Sequence, residues 1–139
     1  MNRAAFLACA LVAAALPVAA KAPPAVRPVM VGGEPELDAC PSVGAIIPLR
    51  KGGDGFVAVR AAPSVKARML DKLESGRELL LCDDSADGQW VGVVYPEPFG
   101  GPVVTDCRVS SPVADKRKAY DGPCLSGWVA RRFVTVIAG

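Results

Sequence analysis

Short apolar runs separated by clusters of turn residues make up most of the chain after Cys40. We find no ten-residue stretch in this part with the three- and four-residue apolar spacing of an amphipathic helix. Short runs rich in β-branched and aromatic residues, bounded by Gly, Pro, Asp or Ser, are typical of strands. The runs lie at 43–49, 56–60, 68–73, 77–82, 89–95, 126–129 and 134–137. This pattern predicts an all-β fold, a small barrel or sandwich, although the run at 68–73 also fits one helical turn.

Residues 1–20 have the pattern of a secretory signal peptide. Arg3 precedes an apolar stretch from 4 to 16, and small residues lead up to Ala20. This arrangement predicts cleavage after Ala20, with Ala22 as a second candidate position. A retained membrane anchor is disfavoured because Pro17 interrupts the apolar stretch, whereas a span needs about 20 apolar residues. The sequence therefore predicts a periplasmic or secreted protein with no stable membrane insertion after cleavage.

Length and charge exclude several classes of function. The chain has 139 residues, with 16 Lys and Arg against 14 Asp and Glu, and no histidine. A chain this close to neutral lacks the clustered positive charge that nucleic-acid binding requires. Without histidine, the Ser–His and Cys–His nucleophile pairs and the histidine-containing zinc sites are ruled out. We therefore expect no enzyme, and no catalytic residue, metal site or cofactor.

A proline-rich segment follows the signal peptide, from 21 to 36. It holds four prolines among small residues, together with the pair Gly32-Gly33. Proline at this density prevents a helix or a central strand, so we expect an extended lead-in, either a spacer or a floppy terminus. One folded domain is then predicted over 37–139.

Four cysteines remain once the signal peptide is removed, and an even number in a small exported domain indicates disulfides. They are Cys40, Cys82, Cys107 and Cys124. Cys107 and Cys124 bracket 108–123, which has no clear hydrophobic period, so a bond between them would fix a segment that lacks a core of its own. Cys40 would then join Cys82, at the end of a predicted strand. We favour this pairing over the two other connectivities.

Several motifs resemble the bacterial SH3 (SH3b) pattern. They are Val59-Arg60-Ala61-Ala62-Pro63-Ser64, the spaced pair Leu73 and Gly76, Trp90, Gly127-Trp128-Val129, and Arg132-Phe133. The chain departs from the pattern at Ala58, where the family often has Asn, and in a long insertion at about 96–125 before the Gly-Trp-Val turn. Loops tolerate such extra length at small entropic cost. The resemblance implies a small SH3-like barrel of about five strands, with a disulfide-braced insertion, that binds rather than catalyses.

Trp90, Tyr95 and Tyr120 are the candidate ligand-binding residues. The resemblance implies a groove beside Trp90, because the first tryptophan of SH3-like barrels commonly faces one. Tyr95 ends the same predicted strand, and Tyr120 lies in the insertion. Aromatic side chains bury a large area with few rotatable bonds, so they often anchor binding. The alternative for each is a structural role, since burying an aromatic side chain contributes about 2–3 kcal/mol.

The resemblance implies an exported binding module of the cell envelope whose partner is a peptide, peptidoglycan or an envelope protein. Two other functions fit the same sequence. One is a structural or assembly protein of the envelope. The other is an inhibitor of a secreted hydrolase, because disulfide-braced loops form rigid inhibitory wedges.

Overall fold

The computed structural model describes residues 13–97, 106–113 and 116–139, and these ranges contain strands and one short 3-10 helix. The strands are β1 (Met30–Val31), β2 (Ser42–Ile46), β3 (Val57–Arg60), β4 (Met69–Leu73), β5 (Glu78–Asp84), β6 (Trp90–Tyr95), β7 (Lys118–Ala119), β8 (Leu125–Ala130) and β9 (Val134–Ala138). The 3-10 helix, Arg131–Phe133, connects β8 to β9. The all-β prediction is confirmed, and the ambiguous run at 68–73 is the strand β4.

Seven of the strands form one antiparallel sheet in the order β4-β3-β8-β6-β5-β2-β9, and β1 pairs with β7 in a separate two-stranded sheet. The edge strands β4 and β9 are not paired with each other, so the main sheet is open and is not closed into a barrel. The expected barrel of about five strands is therefore not confirmed. The hairpin β3–β4 extends the sheet beyond β8 through the pair Arg60 and Trp128.

One face of the main sheet carries the larger apolar cluster, which we call the first core. Its buried members are Ile46, Val57, Val59, Leu73, Leu79, Leu81, Val91, Val93, Tyr95 and Val129. They come from alternate positions of their strands, as in β6, where Val91, Val93 and Tyr95 all belong to this cluster. Successive side chains on a strand point to opposite faces, so alternation along the chain builds this core directly.

The opposite face is covered by a second core, formed by the segment before β2 and the segment between β6 and β8. Its buried members are Val31, Ala39, Cys40, Val94, Cys107 and Val109. The proline-rich segment is thus not a floppy terminus along its whole length, because β1 pairs with β7 and Val29 is buried. The Trp128 indole N–H also donates a 2.7 Å hydrogen bond to the Arg27 carbonyl.

Both favoured disulfides are present, Cys40–Cys82 and Cys107–Cys124. All four cysteines belong to or pack against the second core. Disulfides persist in oxidising compartments, which agrees with the predicted export, although export itself stays a prediction. Among the described residues, no helix is long and apolar enough to cross a membrane.

A buried carboxylate joins the two layers. Asp83 on β5 is 6% exposed, and one of its oxygens accepts a 3.0 Å hydrogen bond from the Met30 amide. Its other oxygen forms an ion pair with Arg117. Gly92 on β6 leaves room for this contact, because a Cβ at that position would lie 2.7 Å from the Asp83 Cβ and 3.1 Å from Val29. A buried carboxylate needs such partners to offset its lost hydration.

Candidate functional site

The structure separates the three aromatic residues that the sequence analysis singled out. Trp90 begins β6 and Tyr95 ends it, so they lie about 17 Å apart along the strand at a rise of about 3.4 Å per residue. Alternation also places them on opposite faces of the sheet. Trp90 is half-buried, whereas Tyr95 is 1% exposed and belongs to the first core. These two residues therefore do not line one common groove.

Tyr120 braces the disulfide-linked segment. Its hydroxyl donates a 3.0 Å hydrogen bond to the Cys107 carbonyl and accepts another, also 3.0 Å, from the Cys124 amide. The same hydroxyl thus links both ends of the Cys107–Cys124 loop. Burial raises the pKa of the Tyr120 hydroxyl. This geometry gives Tyr120 a structural contact, the alternative that the sequence analysis left open.

The candidate functional site is a groove of about 1010 Å³ at one end of the first core. It lies between strand β4 with its following turn, the end of β6 and the start of β8. The described residues that line it are Leu70, Asp71, Lys72, Leu73, Glu74, Ser75, Gly76, Arg77, Tyr95, Glu97, Leu125 and Ser126. Of the predicted site residues, Tyr95 contributes to this groove. Its volume is that of a ligand site rather than of a single buried water.

Tyr95 sits in a polar network at the groove. Its hydroxyl donates a 3.1 Å hydrogen bond to Asp71 Oδ2, and the Arg77 guanidinium lies 5.7 Å from its ring centroid. The Arg77 side chain also donates to the Pro96 carbonyl, which ties the turn after β4 to the end of β6. Burial, followed by the Asp71 charge, raises the pKa of Tyr95 far above its ordinary value. Tyr95 is therefore a neutral hydrogen-bond donor at physiological pH.

The groove combines apolar walls with charges of both signs. Leu73 belongs to the first core and Leu125 packs against it, whereas Leu70 is 42% exposed. Its charged residues are Asp71, Glu74, Glu97, Lys72 and Arg77. Such a lining suits an extended segment with both apolar and polar groups. Across the described ranges, no three Asp, Glu or Cys side chains gather as a metal site would require.

Strand β4, at the edge of the main sheet, contains an irregularity in its pairing with β3. Val59 pairs with Asp71 and Arg60 pairs with Met69, so Leu70 is an extra residue in the ladder. A bulge of this kind interrupts strand pairing and redirects the side chain. The Lys72 amide also donates to its neighbour Asp71 at 2.7 Å. This edge of the sheet is therefore poorly suited to pairing with an added strand.

Sequence reasoning missed most of this groove, although one signal pointed to it. Met69 and Leu70 are adjacent apolar residues on a strand, and adjacent side chains point to opposite faces. At least one of them must then leave the first core, and both are in fact exposed by more than 40%. The turn residues Glu74 and Glu97 carry no such signal, because their proximity depends on the ends of two strands meeting.

Comparison of the chain with protein-family models, curated proteins and solved structures gives no match. The SH3-like resemblance therefore remains a prediction from the sequence motifs. The groove depends on its own geometry.

Proposed function

We propose that this chain is an exported, non-catalytic binding module of the SH3-like type that holds an extended segment of a cell-wall or envelope partner. The observation that carries the proposal is the groove beside β4. It has apolar walls and charges of both signs, and the buried Tyr95 forms part of its floor. Sites that bind ligands combine apolar walls with a few placed polar groups in this way. The proposal moves the binding surface from Trp90 to the opposite end of β6.

The strand order supports the SH3-like part of the proposal. Five consecutive strands of the main sheet, β9-β2-β5-β6-β8, place the first and last strands of the domain side by side. The 3-10 helix Arg131–Phe133 stands directly before the last of them. This arrangement resembles the strand order of SH3-like domains, with the hairpin β3–β4 added beside β8. All four pairs of neighbouring strands in this set are antiparallel ladders, as in small β-barrels.

The polar network supports binding rather than proton transfer. The Tyr95 hydroxyl donates its hydrogen bond to Asp71, and Ser75 Oγ accepts a 3.0 Å hydrogen bond from the Leu49 amide. These groups hold the walls of the groove in place before any partner arrives. A preformed site loses less conformational entropy when it binds, which favours affinity.

Retention on isolated peptidoglycan sacculi and on immobilised, detergent-solubilised envelope proteins tests the proposal. The test variant carries Glu74→Lys and Glu97→Lys, which reverse two exposed carboxylates of the groove. The control carries Glu34→Lys and Glu36→Lys, an equal charge change at exposed positions outside the groove. We expect the groove variant to lose binding to one of the two materials by roughly tenfold or more, and the control to bind as the unmodified protein does.

Circular dichroism and a melting curve on both variants establish that they are folded. Equal retention of the two folded variants would show that the groove is not the binding surface. Failure of the unmodified protein to bind either material would contradict the proposed function itself.

A further inference from the structure

The hairpin β3–β4 presents a second surface, which shares Leu70 and Lys72 with the groove and otherwise lies outside it. Six side chains along this hairpin are exposed, and together we call them the hairpin surface: Val65, Lys66, Arg68, Met69, Leu70 and Lys72. Val65 is 68% exposed and Met69 is 43% exposed. Within 65–72, three apolar and three cationic side chains are exposed, whereas Ala67 is buried and Asp71 is half-buried.

The charge of this surface has one sign. Its three ionic side chains are cations, and the neighbouring Asp71 is half-buried, with its oxygens hydrogen-bonded to the Tyr95 hydroxyl and the Lys72 amide. The Lys72 ammonium lies 4.6 Å from the centroid of the Phe56 ring. Lys66 and Arg68 extend the positive charge toward the tip of the hairpin. A partner with negative charge would meet little repulsion here.

Hydrogen bonds hold the hairpin in place. Its apolar side chains are therefore exposed in an ordered backbone rather than through fraying. Ala67 is buried, and its carbonyl accepts a 2.9 Å hydrogen bond from Arg60. The Ala61 amide donates to the Arg68 carbonyl at 2.9 Å. The Arg27 amide donates to the Ala61 carbonyl at the same distance, which brings the proline-rich segment to the base of the hairpin.

We infer that the hairpin surface docks the protein on the face of an anionic lipid bilayer. Val65 and Met69 would enter the interfacial layer, while Lys66 and Arg68 contact the lipid phosphates. Exposed apolar side chains and cations act together in this way at membrane surfaces, and each cation near an anionic leaflet strengthens binding. Docking of this kind is peripheral and requires no span.

A bilayer fits this surface better than an acidic protein does. The bulge at Leu70 and the bonded Lys72 amide prevent an added strand from pairing regularly with β4. Intermixed apolar and cationic side chains match a fluid surface, which offers both hydrocarbon and phosphate to each of them. The other edge strand provides a contrast: β9 exposes Val136 and Ile137 but contains no Lys or Arg.

Flotation with vesicles tests the inference on the full chain. One set contains phosphatidylglycerol mixed with phosphatidylcholine, and the other contains phosphatidylcholine alone. We expect binding to the first set only, and its loss in about 1 M salt, where the Debye length falls to about 3 Å. Lys66→Glu with Arg68→Glu should lower the partition coefficient about thirtyfold or more. Arg50→Glu with Lys51→Glu, the matched charge control in another exposed turn, should have a much smaller effect.

A second pair of variants tests the apolar contribution. Val65→Ser with Met69→Ser should weaken binding to the anionic vesicles, whereas Val136→Ser with Ile137→Ser on β9 should not. All four substitutions change exposed side chains, and circular dichroism checks that each double variant remains folded. The substituted hairpin residues lie outside the lining of the groove, so peptidoglycan or envelope-protein retention should be unaffected if the proposed function is correct.

Amide hydrogen exchange locates the contact, because the apolar N-terminal stretch could hold a chain to vesicles by itself. We expect anionic vesicles to slow exchange within 61–73. Flotation without that protection, or flotation that is the same in the hairpin variants, would overturn the inference. Binding to polyglutamate but not to the anionic vesicles would also overturn it and would favour an acidic protein.

Discussion

The two cores of this protein are built by different means. The first core takes its side chains from alternate positions of the main sheet, and none of the four cysteines that the structure describes belongs to it. The second core joins parts of the chain that are far apart in sequence, and it contains both disulfides together with the contacts of Asp83. Burial of apolar area is the main contribution to the first core, since each fully buried aliphatic side chain contributes about 1.5–3 kcal/mol.

The second core has too few apolar side chains to form in the same way. Its strands β1 and β7 have two residues each, and an isolated pair of such strands is at best marginally stable. Two disulfides and the hydrogen bond and ion pair of the buried Asp83 carboxylate therefore replace the missing apolar contacts. We call the segments that carry the second core, before β2 and between β6 and β8, the covering layer. The comparison teaches that the main sheet should survive the loss of this layer, whereas the layer itself depends on its disulfides and on the contacts of Asp83.

The largest expected effect breaks the second core at its covalent link. In a Cys107→Ser, Cys124→Ser double variant, we expect the free energy of opening of the covering layer to fall by about 3 kcal/mol, the chain-entropy value for a loop of this size. Hydrogen exchange should accelerate in 106–113 and 116–124, while β5 and β6 keep their protection. A single cooperative loss of all protection would show that the two cores are one unit.

A matched pair of smaller deletions compares the cores directly. Val93 is buried in the first core and Val109 in the second, and each is at most 1% exposed. We expect Val93→Ala to lower the free energy of global unfolding by about 2 kcal/mol, because it removes two methyl groups from a well-packed sheet. Val109→Ala should instead promote local opening of the covering layer and change global unfolding less.

Urea unfolding gives the global value for each variant, and hydrogen exchange gives the local one. Equal losses of global stability in the two variants would contradict the separation of the cores.

The same contrast explains what the sequence could predict. Alternation along β5 and β6 revealed the strands of the first core, because side-chain period is a local property. The disulfide pairing followed from the absence of any period in 108–123. The pairing of β1 with β7 could not be foreseen, since it depends on a buried Asp83 and on the space that Gly92 leaves. The groove was missed for a similar reason, because its walls meet at the ends of separate strands.

Tyr95 provides the smallest expected effect and sharpens the description of the first core, because its hydroxyl is a polar group at the edge of that core. Tyr95→Phe removes the hydrogen bond to Asp71 and should lower the free energy of unfolding at pH 7 by about 1 kcal/mol.

The effect of pH on this difference has a defined sign. Burial and the Asp71 charge raise the pKa of Tyr95 above its ordinary value of 10.0 in the folded protein. The stability that neutral Tyr95 contributes is therefore complete below pH 10 and is lost as the pH rises through the folded-state pKa. Above pH 10, the unmodified protein should lose stability faster than the Phe variant, so the gap between them narrows. Urea unfolding of both proteins on either side of pH 10 measures this gap, and a gap that stays constant with pH would show that Tyr95 ionises in the folded protein as readily as in the unfolded chain.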